Sequence, residues 1–240
     1  MRRVCCVLTA VVVATSGPTA LAGAATVRAQ WNMTPSHGVV VDRAGRANLR
    51  LFGAWTNVRG AVGRAVHFRW NGRPAGGAVR SGSSFNPGTA PFAVGVTLRA
   101  QSVPASGGYS PNVVQKGLFD DRGQWKMEVI RSGGHTVARC RFSGTRGHRS
   151  VLDRTGTALD NGRWHTVICW RAASAYGIRV DGKQTRVGGS VGSIVSSRPL
   201  RVASKTAGAG VTDQFQGTID CVTYVQGASP LRLAAAKAHC

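Results

Sequence analysis

The chain has 240 residues, 42% hydrophobic and 17% charged, with 32 glycines, a balance that supports one full-sized core with many turns and excludes wholesale disorder. Its 31 lysines and arginines against 9 acidic residues give a formal charge of +22, enough to attract polyanions at low salt. Arginine (26) outnumbers lysine (5) and the cations are scattered, without the runs of about 5 to 8 basic residues or the interleaved aromatic patches of nucleic-acid binders, which argues against nucleic acid as a partner.

Residues 1–25 read as a secretory signal peptide. Arg2 and Arg3 precede an apolar stretch from Val4 to Ala14, Gly17 and Pro18 end it, and "ALAGAA" supplies the small residues of a cleavage site near Ala22. The stretch is too short for a transmembrane helix, which needs about 20 apolar residues. Cleavage removes Cys5 and Cys6, leaves about +20 of net charge, and defines a domain over residues 26–240 outside the cell. The four remaining cysteines, Cys140, Cys169, Cys221 and Cys240, are an even number in an oxidising compartment, so two disulfides are expected. Three pairings are possible. Proximity favours Cys140 with Cys169 and Cys221 with Cys240, each contributing about 3 to 4 kcal/mol in the chain-entropy model.

Along the mature chain, strands alternate with turns. "VVVD" precedes "RAG", and "AVHFRW" precedes "NGR". In "PFAVGVTLRA", Phe92, Val94, Val96 and Leu98 alternate with Ala93, Gly95, Thr97 and Arg99, the period of a half-buried strand. Trp125, Met127 and Val129 alternate with Lys126, Glu128 and Ile130, and "SGG" at Ser132–Gly134 joins that strand to "HTVARCRF" as a hairpin. A strand from Trp164 to Trp170 puts His165, Val167 and Cys169 on one face; if it neighbours the strand of Cys140, the two sulfurs share a face. In "IRVDGKQTRV", Asp181-Gly182 forms a two-residue hairpin turn. The clearest helix closes the chain, with Ser229 as cap, Pro230 in the first turn and "LRLAAAKAH" after them. Many short strands and one terminal helix predict an all-β sandwich or barrel.

Several motifs resemble reaction centres without their context. "GGSVG" at Gly188–Gly192 matches a nucleophile elbow, but no helical pattern follows. "GIRVDGKQ" departs from a phosphate loop, with Gln184 where Ser or Thr holds magnesium. The cysteines show no C-x-x-C spacing and the histidines no H-x-x-x-H pair, which argues against zinc. Glycosidases need paired carboxylates. Here Glu128 is the sole glutamate, and adjacent Asp120 and Asp121 in an extended strand would face opposite sides.

Taken together, "VVQKG" (Val113–Gly117), "LDNGRWHTVICWR" (Leu159–Arg171), "IRVDGK" (Ile178–Lys183) and "DQFQGTIDCVTYV" (Asp213–Val225) resemble the laminin G-like, concanavalin A-type jelly rolls secreted by actinobacteria. The resemblance runs from about Val27 to Val225 and implies a two-sheet antiparallel jelly-roll sandwich, here with a short C-terminal helix. It further implies a calcium site at Asp220, with Asp42 and Asn48 as neighbours, although Cys221 stands where relatives often carry an acid. Scarce acids would leave much of such a shell to backbone and water; the alternative is that Asp42 and Asp220 stabilise turns. The resulting expectation is a secreted, noncatalytic, monomeric module that binds a glycan or an anionic cell-wall polymer. An extracellular protein-interaction scaffold is the alternative, and a polysaccharide hydrolase the third reading. Trp55, Trp70, Trp125, Trp164 and Trp170 are candidate sugar platforms, although tryptophans are more often core.

Overall fold

The computed structural model describes residues 23–45, 47–80, 84–105, 108–208 and 213–240. The predicted signal peptide therefore lies almost wholly outside the described residues. In chain order the strands are β1 (Thr26–Trp31), β2 (Val39–Val40), β3 (Leu49–Phe52), β4 (Trp55–Arg59), β5 (Arg64–Phe68), β6 (Gly76–Val79), β7 (Phe92–Ala100) and β8 (Asn112–Lys116). After a 3-10 turn at Phe119–Asp121 follow β9 (Gln124–Ser132), β10 (His135–Gly144), β11 (Gly147–Leu152), β12 (His165–Arg171), β13 (Ala175–Val180), β14 (Lys183–Gly188), β15 (Leu200–Val202), β16 (Gly217–Gln226) and the helix α1 (Pro230–Lys237).

Among the described residues every strand pairing is antiparallel, and the strands form two sheets of eight. The first runs β14-β13-β12-β7-β16-β5-β4, with β1 also paired to β16; the second runs β11-β10-β9-β8-β15-β6-β3-β2. The architecture is a jelly-roll sandwich. Between the sheets lies an aromatic core in which Trp125 stacks on Tyr224 at 5.5 Å, while Phe92 meets Trp125 at 5.8 Å and Phe142 at 6.0 Å. Trp31, Trp125 and Trp170 are buried, so three of the chain's large aromatics belong to packing rather than to ligand contact.

Local chemistry accounts for the hairpins. Asp181 and Gly182 both have positive φ (46° and 87°) and join directly paired Val180 and Lys183, the geometry that primed two-residue turns require. Gly133 and Gly134 do the same between Ser132 and His135. The helix differs from expectation at its start: Ser229 is left-handed (φ 54°) and its side chain makes no capping bond, which leaves Pro230 as the feature that suits the first turn.

Cys140 and Cys169 are bonded, but their strands are not neighbours in a sheet. Cys140 lies in β10 of the second sheet, Cys169 in β12 of the first, so the disulfide crosses the sandwich. Their Cα atoms are 5.6 Å apart, whereas packed sheets usually stand about 10 Å apart; the layers therefore converge at this edge. The second bond joins Cys221 of β16 to Cys240 beyond α1. It pins the helix onto the outer face of the first sheet, where Ala93, Ile168, Trp170, Val225 and Ala234 form a second apolar cluster. Lys237 and Ala238 complete the attachment by accepting from Thr223 Oγ1 (2.8 Å) and Thr97 Oγ1 (2.6 Å). This cover explains why β7, whose alternation predicts a half-buried strand, is buried along nearly its whole length. At Gly95 a β-carbon would already touch Ala238.

Candidate functional site

Among the described residues, no such helix lies on the outer face of the second sheet. At one end of it, the connection between β8 and β9 forms a tight loop whose neck is closed by two glycines. A β-carbon at Gly117 (φ 77°) would lie 1.9 Å from the Gly123 carbonyl oxygen, and one at Gly123 would lie 1.8 Å from that of Val195. Only glycine allows this approach. Between them, Asp121 accepts from the Leu118 amide (3.3 Å) and from Arg198 Nε (3.1 Å), which sets the short turn and aims Phe119 outward. Phe119 is 42% exposed. The His148 ring meets it edge-on at 5.1 Å, and the Arg141 guanidinium lies 5.3 Å from its centroid, a cation–π pair.

The opposite wall is the two-residue turn between β10 and β11. Thr145 and Arg146 donate backbone N–H groups to Ser193 (3.0 Å) and Val191 (2.9 Å), and Ser193 donates its own to Thr145 Oγ1 (3.1 Å), so the turn is fastened to the segment following β14. Phe119, Asp120, Arg122, Ser143, Thr145 and His148 surround an open cleft of about 450 Å³. A second depression, about 350 Å³, adjoins it across Thr145. Near its floor the buried Arg171 guanidinium donates to the carbonyls of Gly192 (3.1 Å), Gly88 (2.9 Å) and Ala90. Burial lowers its pKa to about 10. With both terminal nitrogens donating to backbone carbonyls, Arg171 shapes the scaffold under the depression.

This arrangement offers a flat apolar ring ringed by hydroxyl, imidazole, guanidinium and carboxylate groups, the mixture that holds a sugar ring by stacking and hydrogen bonds. Glycosidic cleavage needs two carboxyl groups flanking one bond, and the cleft lining supplies Asp120. Its neighbour Asp121 is bound to Arg198. Glu128 is fully buried, in contact with Lys126 and Arg139 and 3.9 Å from Arg141. The segment "GGSVG" begins on Gly188, the last residue of β14, and runs on as extended loop beside this cleft, where the nucleophile elbow requires a helix.

The predicted calcium residues fall in two places. Asp42 Oδ1 accepts the amides of Gln30 (2.9 Å) and Ala44 (3.0 Å), its Oδ2 accepts that of Ala47 (3.1 Å), and Asn48 Oδ1 accepts the amide of Asp42 (3.0 Å). Asp220 instead accepts from Val62 (3.4 Å) at the turn between β4 and β5. Burial raises the Asp220 pKa, opposed by the Val62 and Ala61 amides and by His239. Calcium takes six to eight oxygens; here Asp220 Oδ1, buried beside Gly60, is the one carboxylate oxygen of the set without a hydrogen-bond partner. The three residues do not fit a calcium shell. Asp42 organises its own loop, as an aspartate in a turn does.

The tryptophans proposed as platforms divide similarly. Trp125 and Trp170 are buried, Trp55, Trp70 and Trp164 are half-buried, and the Arg99 guanidinium sits 5.2 Å from the Trp164 ring centroid. Phe119 is absent from the sequence-based expectations. A large aromatic between glycines and acids in "GLFDDRG" was the available signal. His165, from the stretch that looks most like a reaction centre, is scaffold: it bonds Asp181 Oδ2 at 2.6 Å and Asn161 Oδ1 at 2.9 Å.

No protein-family model matches the chain, and no curated protein matches it. Solved structures do. The fold is similar to the binding domain of Paraclostridial Mosquitocidal Protein 1 (TM-score 0.69, 12% identity, covering 88% of this chain and 51% of that one). It is similar to domain 4 of AbnA, a GH43 extracellular arabinanase from Geobacillus stearothermophilus, solved in complex with arabinotriose (TM-score 0.63, 14% identity, 89% and 98%). Mouse laminin alpha1 chain, domains LG4-5, also superposes (TM-score 0.50, 14% identity, 79% and 49%). The chain thus spans about half of the toxin and laminin structures and nearly all of the arabinanase domain. At these identities the likeness is one of fold.

Proposed function

We propose that this protein is a secreted, noncatalytic module of laminin G-like type that binds carbohydrate at the cleft around Phe119. The observation that carries the reading is the exposed ring itself, held outward by a glycine-necked loop over a polar cleft at the end of the second sheet. Two disulfides suit an oxidising compartment, and no helix among the described residues is long and apolar enough to cross a membrane. The arabinanase domain bound to arabinotriose supports a glycan as the ligand class for this fold. A neurotoxin binding domain of similar fold was solved with rat synaptotagmin II, which makes a protein partner the competing reading.

Glycan-array binding at physiological salt, followed by calorimetry on the best oligosaccharide, tests the proposal. Phe119→Ala is expected to weaken binding about tenfold, since stacking on an aromatic ring contributes about 0.5 to 1.5 kcal/mol beyond its buried area. The melting temperature should not change, because the ring is exposed. Array silence combined with capture of a defined extracellular protein would replace this reading, and release of reducing ends from any polysaccharide would make the protein a hydrolase.

A further inference from the structure

Beyond the cleft, the same sheet face carries a row of charge that no local stretch of sequence contains. Arg50 of β3 pairs with Ala78 of β6, Ala78 with Arg201 of β15, Arg201 with Gln115 of β8, Gln115 with Lys126 of β9, and Lys126 with Arg141 of β10. Directly paired residues share a face. The flanking Leu49, Val79, Val202, Val114, Trp125 and Cys140 point into the core, so these six side chains point out. The row crosses six adjacent strands, about 24 Å at one strand spacing each. Four of its six members are cations.

The balancing charge is small. Glu128, one pair further along β9, is the carboxylate bonded to this face, and it is shared among Lys126, Arg139 and Arg141. Burial lowers the Lys126 pKa; Glu128 opposes the shift, while Arg141 and Arg139 reinforce it. Burial also lowers that of Arg201. The row is recessed, and at Gln115, which is 2% exposed with its amide donating to the Lys205 carbonyl at 3.1 Å, the segment after β15 crosses over it. Charges in such a recess interact more strongly than at an open surface. An aromatic ring marks each side: Arg201 lies over Phe52 at 5.6 Å and Arg141 over Phe119 at 5.3 Å.

The geometry points to a linear polyuronate as the ligand, running from the Phe119 cleft past Lys126 and over the Lys205 backbone to Arg201 and Phe52. This rests on the glycan reading of the cleft and adds the charge class and the direction of the chain. A carboxylate on each sugar matches the planar guanidinium fork, and the two phenylalanines offer apolar faces to rings at separated points. Since the cations come from alternate or adjacent strands, they are spaced by roughly 5 and 10 Å, a repeat that an extended saccharide chain can follow and a single acidic sugar cannot exploit.

Calorimetry in physiological salt with oligogalacturonates of two lengths, a hexamer and a dimer, tests this, alongside a neutral glucan hexamer and single-stranded DNA. The hexamer should bind at least about tenfold more tightly than the dimer, and Arg201→Gln should remove about that factor for the hexamer while leaving the dimer unchanged, as expected for one charge-assisted contact. Arg50→Gln should act in the same direction but less, being more exposed. Arg186→Gln, an exposed cation of β14 in the other sheet, controls for net charge and should change nothing. Equal affinity for both lengths, equal losses from Arg201→Gln and Arg186→Gln, or tighter binding of DNA overturns the inference. If neutral glucan binds and Phe119→Ala abolishes it without any uronate preference, only this inference falls. If no glycan binds at all, the proposed function falls with it.

Discussion

The two sheets bury their inner faces in the same way and treat their outer faces in opposite ways. The first covers its outer face with α1, so that Ala93, Ile168, Trp170 and Val225 become a second core. The second leaves its outer face to Arg50, Arg201, Lys126, Glu128, Arg139 and Arg141. A sheet face therefore becomes scaffold or surface according to what the chain lays over it, and the strand's own period does not decide which. The face without the helix keeps both the exposed aromatic and the excess charge, which is where a ligand is expected.

The comparison breaks most sharply at the two residues that hold each face together. Trp170→Ala, under the helix, should cost about 3 to 5 kcal/mol of unfolding free energy in urea, because a large ring leaves a cavity that the disulfide-anchored helix cannot fill. Glu128→Ala, on the helix-free face, should cost somewhat less, about 2 to 4 kcal/mol, by leaving partly buried cations uncompensated. Unlike the first substitution, it should be partly relieved by high salt, and a salt-insensitive loss would show that packing rather than charge governs this face. Breaking the Cys140–Cys169 bond by a double Ser substitution should cost about 3 to 4 kcal/mol, spread over both layers since the bond joins them. Asp42→Ala should cost about 1 to 2 kcal/mol through three lost amide bonds in a half-exposed loop. The cost should be the same in calcium and in chelator; a calcium-dependent difference would mean that Asp42 ligates metal after all.

The smallest effect concerns pH. Lys116 reaches inward to the carbonyls of Ser196 and Arg198, and burial lowers its pKa to about 8 from 10.5. Below pH 8 both folded and unfolded chains hold the proton, and the folded state bears the full burial cost. Between about 8 and 10.5 the unfolded chain binds more protons, so stability attributable to this residue rises with pH. Melting temperatures measured across that window should climb less steeply in Lys116→Met than in the unsubstituted protein.

Much of this architecture was legible in local sequence. Turn chemistry at Asp181-Gly182 and Gly133-Gly134 placed two hairpins, and alternation in Phe92–Leu98 and Trp125–Val129 identified core-facing residues. The candidate site was far less legible. Phe119 sits in a loop whose outward aim depends on Asp121 meeting Arg198 and on Gly123 meeting Val195, more than seventy residues away. The tryptophans drew attention by size, yet size favours burial. Asp42 and Asp220 drew attention as acids, and their carboxylates proved to be held by amides of different loops.

Sequence by itself determined the strands, the tight turns, the terminal helix and the even set of cysteines, because each depends on dihedral preference, periodicity or count within a few residues. Tertiary structure alone decided that Cys140 and Cys169 cross between layers, that α1 seals one sheet, and that residues 50, 201, 126 and 141 line up on the other. Such rows are set by the register between strands distant in the chain, and a two-residue period records which face a side chain takes without recording what lies beside it.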